Sequence, residues 1–240
     1  MESYKQFIIY MMHCINGVGF QQNTPERSIT VTFLRKMLSS AETILRIEPN
    51  GYDSCIIASH MTEGILLLNW LLDDPARIKD YDDYIFVEFL PLLEIDPSFR
   101  ESLLETIKQN DVQRFMKAEY LRQKKISDDL LLNYQNYRND WYKPEINTLK
   151  DIPKCVKQKV TQKALNDIYA MYHGLCSYKH YSPCVMPSKD DITNRWRIRA
   201  MDIALKTAAL CLYIVLLYTN QFQNNILDAN DIIQRYDKLP

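Results

Sequence analysis

The chain has little glycine: only five glycines occur in 240 residues, and long stretches also lack proline. Sheets of many strands need frequent tight turns, for which glycine and proline are the usual residues. A many-stranded architecture is therefore excluded, and helices are favoured. The apolar fraction of 47% and the charged fraction of 25% are typical of a globular chain with a packed core.

A strong net charge is also missing. The formal net charge is −1 and the isoelectric point is near 6.4, so no global positive field attracts a nucleic acid or a membrane surface. The cysteines form no CxxC pair and are interpreted as reduced core thiols of a cytoplasmic protein. They are Cys14, Cys55, Cys155, Cys176, Cys184 and Cys211. No cofactor is predicted.

The longest apolar run covers residues 208–218, between Lys206 and Asn220. It is shorter than the ~20 residues that a bilayer span requires. The run is therefore predicted to be a buried core helix, and no membrane contact is expected. The sequence also lacks a glycine-rich phosphate loop, a GxSxG elbow and an HExxH motif, so the commonest enzyme signatures are absent.

Helix start and stop signals predict one all-α domain over 1–240, a bundle of about seven to nine helices. Thr24 followed by Pro25 is one such signal, a capping residue with proline at the first helical position. Residues 97–140 have mixed charge and are predicted to form a more exposed helical limb. A tyrosine-rich helix over 75–93 offers a face that either serves a homodimer or is covered within the monomer. The other predicted helices cover 3–16, 25–47, 52–73, 161–180, 190–218 and 228–238.

Ionisable side chains fall on otherwise apolar faces of two predicted helices. At 100° per residue, His60 and Glu63 share a stripe with Ile56, Leu67 and Trp70. In the helix over 161–180, one face carries Leu165, Tyr169, Tyr172, Cys176 and His180. Both sets are expected to point inward.

The last long helix adds a cation. Arg197 aligns with Met201, Ala204 and Ala208, whereas Arg195 and Arg199 are turned away. Burying an unpaired charge is costly, so the inward polar groups are expected to meet one another or to surround a ligand. The predicted pocket consists of His60, Glu63, Tyr169, Tyr172, Cys176, Ser177, His180 and Arg197. A hydrogen-bond cluster with a purely structural role is the alternative.

Three more specific chemical roles for these residues, a metal site, a reactive thiolate and a phosphate site, are less favoured. A metal held by His60 and Glu63 would need further inward carboxylates, which the sequence does not place, so no metal site is predicted. A reactive thiolate at Cys176 would need an accessible electropositive site, and a core thiol is commoner. The arginines of the run 195–199 point in different directions around their helix, which favours a solvated helix start over a phosphate site.

The order of motifs resembles bacterial all-helical families catalogued as domains of unknown function. It comprises Ser-His-Met-Thr-Glu-Gly at 59–64, Asp-Pro-Ala-Arg at 74–77, Tyr-Ala-Met-Tyr at 169–172 and Ser-Tyr-Lys-His at 177–180. In those families an early glutamate accompanies a late tyrosine pair and a serine-x-x-histidine. Glu63, Tyr172, Ser177 and His180 match, while His60 stands where those families tend to have arginine.

A more remote likeness is to HEPN helical bundles, many of which are metal-independent ribonucleases. These use an arginine followed by a histidine four to six residues later, and no arginine has that spacing before His180 here. Two functions remain open. One is a binding or interaction module for a small ligand or a protein partner. The other is a HEPN-like ribonuclease of a toxin or phage-defence system, with RNA as substrate and His180, Arg197 and Glu63 as catalytic residues.

Overall fold

The structure is a computed structural model that describes residues 1–47, 51–78, 81, 162–179, 194–224 and 227–240. These ranges are predominantly helical and contain no strand, which confirms the predicted all-α class. The chain divides into two compact units, Met1–Pro75 with Thr148–Pro240, and Ala76–Asn147. The exposed limb predicted over 97–140 and most of the tyrosine-rich helix lie outside the described residues. The single-domain assignment and the helix count for the whole chain stay predictions.

Six described helices belong to the first unit. They are α1 (Glu2–Asn16), α2 (Pro25–Arg46), α3 (Gly51–Leu72), α4 (Gln162–Lys179), α5 (Asn194–Phe222) and α6 (Ala229–Asp237). The largest departure from the predicted bounds is in α5, which continues past 218. The predicted end lay at 218, but the Thr219 hydroxyl donates to the Val215 carbonyl at 2.8 Å inside the core. A buried polar residue can thus continue a helix.

Local capping chemistry fixes two helix starts. Thr24 Oγ1 accepts the Arg27 backbone N–H at 3.3 Å, and Pro25 occupies the first turn of α2, as the sequence predicts. Asp228 Oδ1 accepts two backbone N–H groups at the start of α6, from Asn230 at 2.9 Å and Asp231 at 3.2 Å. A side-chain oxygen at each position satisfies N–H groups that have no partner within the helix.

Helix α5 is the centre of the first unit and packs against each of the other five described helices. Its alanines at every fourth position, Ala200, Ala204 and Ala208, are at most 1% exposed, and small side chains allow neighbouring helices to approach closely. Residues 208–216 are all buried, which confirms the predicted core helix. The alignment of Met201, Ala204 and Ala208 on the inward face is also confirmed.

Helices α3 and α5 run in the same direction and are joined by a ladder of buried polar contacts at seven-residue intervals on α3. The Cys55 thiol donates to the Ala200 carbonyl at 3.1 Å. Thr62 is hydrogen-bonded to the thiol of Cys211. One turn short of the end of α3, Asn69 accepts from the Tyr218 hydroxyl and donates to the Ile65 carbonyl at 2.7 Å. Each polar group therefore has a partner, as burial requires.

Helices α1 and α6 close the unit where the two chain ends meet. The Tyr236 ring stacks on Tyr213 at 4.1 Å and packs edge-on against Phe7 at 5.9 Å. The Tyr10 hydroxyl donates to the Asp231 carboxylate. Aromatic contacts of this kind add to the free energy gained by burying the rings.

Two described helical segments, Gly51–Leu72 and Ile198–Phe222, are long and apolar enough by composition to cross a membrane. Of the most apolar part of each, 67% and 78% respectively is buried against other residues of the chain. Central helices of a packed core have the same length and composition.

Candidate functional site

The accessible polar groups of the first unit include a pair on α3. His60 and Glu63 lie three residues apart, with His60 Nδ1 at 3.4 Å from Glu63 Oε2. The side chain of His60 is 57% exposed and that of Glu63 is 24% exposed. The expectation that His60 points into the core is therefore wrong. The physical reason is that the buried polar face of α3 is the one against α5, whereas His60 lies at the rim of another face.

Helix α4 contributes Tyr172 and Cys176, which are one turn apart and half-buried. Their side chains are hydrogen-bonded to each other. Burial, the Cys176 thiol and the negative charge of Glu63 together raise the pKa of Tyr172 to about 12. The Tyr172 hydroxyl therefore keeps its proton near neutral pH, within electrostatic range of the Glu63 carboxylate.

A second group of side chains lies at the other end of the α3–α4 pair, where α3 begins and α4 ends. The Tyr52 and Tyr178 rings lie 5.8 Å apart at an angle of 55°. Because Tyr52 contacts Tyr178 while Glu63 acts electrostatically on Tyr172, the two helices run in opposite directions. Burial raises the pKa of Tyr178, as do Cys55 and Tyr52, whereas the positive charge of the exposed Arg199 lowers it.

This second group was not predicted from the sequence, although one signal was available. Tyr52 precedes Glu63 by eleven residues, which is about three helical turns, so it extends the same stripe of α3. Tyr178 and Arg199 had no comparable signal. Their proximity depends on how the start of α5 packs against α3, where the Cys55 thiol meets the Ala200 carbonyl.

The predicted pocket residues are only partly within the described structure. Glu63, His60, Tyr172 and Cys176 are brought together, and Ser177 is half-buried on α4. Tyr169 and Arg197 belong to α4 and α5, but their side chains lie outside what the structure describes, as does the whole of His180. The predicted catalytic trio of His180, Arg197 and Glu63 therefore stays a prediction.

Metal coordination has no basis in the described ranges, which contain no group of three or more His, Cys, Asp or Glu side chains arranged to hold an ion. The Glu63 site instead offers a carboxylate acceptor, an imidazole and a neutral hydroxyl donor, all at least partly accessible. Such a set can hold a polar ligand by hydrogen bonds or transfer a proton.

Comparison of the chain with protein-family models, with curated proteins and with solved structures finds no match.

Proposed function

We propose that the chain is a binding protein whose ligand site lies on the polar face between α3 and α4. The observation that supports this proposal is that the carboxylate of Glu63, which is 24% exposed, acts electrostatically on the half-buried Tyr172 of the neighbouring helix. On the face of α3 that packs against α5, by contrast, the polar groups are buried and hydrogen-bonded. Polar side chains that stay accessible within a packed helical face favour ligand contact over a role in stability.

The chemistry of the site indicates the kind of ligand. Glu63 accepts hydrogen bonds, Tyr172 donates one, and His60 does either according to its protonation. A small polar molecule with a donor and an acceptor close together, such as a nucleoside base or an amino acid, satisfies both groups. The half-buried Tyr172 ring supplies apolar contact beside them.

A thermal-shift screen tests this proposal. The melting temperature is measured with each of the four ribonucleosides and each of the common amino acids in turn. At least one probe is expected to raise it in the wild type, and Glu63→Gln and Tyr172→Phe are expected to abolish that rise. Glu42→Gln is the matched control, because Glu42 is a more exposed glutamate paired with Arg46 on α2. The proposal fails if no probe acts, or if Glu63→Gln responds as the wild type does.

A ribonuclease is the second candidate, supported by the position of the first turns of α5. Arg199 acts electrostatically on Tyr178 at the end of α4. Arg197 precedes Arg199 by two residues, and His180 follows Tyr178 by two residues in the sequence.

An assay with single-stranded RNA compares the wild type with His180→Ala and Arg197→Gln. Loss of cleavage in both variants supports this function, whereas equal rates or no cleavage by the wild type exclude it.

A further inference from the structure

We draw no further inference here: the strongest candidate, the side-chain cluster of Tyr10, Cys14, Asp231 and Arg235 between α1 and α6, carries nothing because these groups are paired with one another and no other feature of the described residues there points to a ligand.

Discussion

Polar side chains on two faces of α3 differ in their exposure to solvent. On the side that faces α5, Cys55, Thr62 and Asn69 are at most 2% exposed, and each has a hydrogen-bond partner. On the side that faces α4, Glu63 and its neighbour His60 remain accessible. One helix therefore carries a buried polar face against α5, called the sealed face, and an accessible polar face that includes Glu63, called the open face.

The difference distinguishes polar groups that stabilise the packing of helices from polar groups that can take part in function. A buried and satisfied polar group makes the packing of two helices specific, because any shift in their register would leave it without a partner. An accessible group on a packed face contributes little to stability and can be reached by another molecule.

The largest effect is expected on the sealed face, from Asn69→Ala. The substitution leaves the buried Tyr218 hydroxyl without its acceptor and removes the bond to the Ile65 carbonyl. We expect the free energy of unfolding, measured with urea, to fall by about 3 kcal/mol. The double variant Asn69→Leu with Tyr218→Phe, in which both polar partners are absent, is expected to recover more than half of that loss. A fall below about 1 kcal/mol for Asn69→Ala would show that the face is not sealed.

The next difference concerns thiol reactivity. Burial raises the pKa of Cys55 and of Cys211 to about 12, so little thiolate forms on the sealed face. Cys14 and Cys176 are only half-buried. With iodoacetamide at neutral pH and mass-spectrometric detection of each peptide, Cys55 and Cys211 are expected to react at least about a hundredfold more slowly than the other two. Equal rates at Cys55 and Cys176 would remove the distinction between the faces.

Local features of this contrast were predictable from the sequence, and long-range ones were not. The start of α2 follows from Thr24 and Pro25, because capping depends on neighbouring residues alone. Helical phase predicted that Glu63 points inward, and its side chain is 24% exposed and acts electrostatically on Tyr172. The predicted pocket as a whole stays a prediction. The burial of His60 was predicted wrongly, since phase gives the direction of a side chain but not what covers it.

The contacts of the sealed face could not be predicted from the sequence pattern either. Cys55, Thr62 and Asn69 recur every seven residues, a spacing that is visible in the sequence. That the spacing marks a contact with α5 became clear only when the partners Ala200, Cys211 and Tyr218 were placed. Contacts between residues so distant along the chain depend on the packing of whole helices, which periodicity does not fix.

A smaller difference is expected in alkaline solution. Burial raises the pKa of Tyr172 to about 12, and burial also raises that of Tyr218, from the ordinary value of 10.0. A tyrosine whose pKa is higher in the folded state stabilises fully below pH 10, and that contribution is lost as the pH rises toward the folded value. Urea midpoints measured at pH 8, 9, 10 and 11 are therefore expected to fall at the upper end.

Phenylalanine variants relate this pH dependence to the two faces. Tyr218 is 1% exposed and hydrogen-bonded to Asn69, whereas Tyr172 is half-buried. Tyr218→Phe and Tyr172→Phe are each expected to flatten the decline between pH 10 and 11, because each removes a hydroxyl whose pKa is raised in the folded state. An unchanged decline in Tyr218→Phe would contradict the burial of its hydroxyl.

The smallest effect is expected at Gly64, where two opposing terms nearly cancel. Replacing a glycine within a helix by alanine gains up to about 1 kcal/mol in the free energy of unfolding. A Cβ at Gly64, however, would lie 2.6 Å from the terminal methyl of Met37 on α2, which has to move. Gly64→Ala is therefore expected to change the stability by less than about 0.5 kcal/mol.

Gly174→Ala is the matched control on α4, since no atom lies within 4 Å of a Cβ there. It is expected to gain most of the helix term. Equal gains at both glycines would show that Met37 yields freely, and a loss above about 2 kcal/mol at Gly64 would show that the core there is rigid.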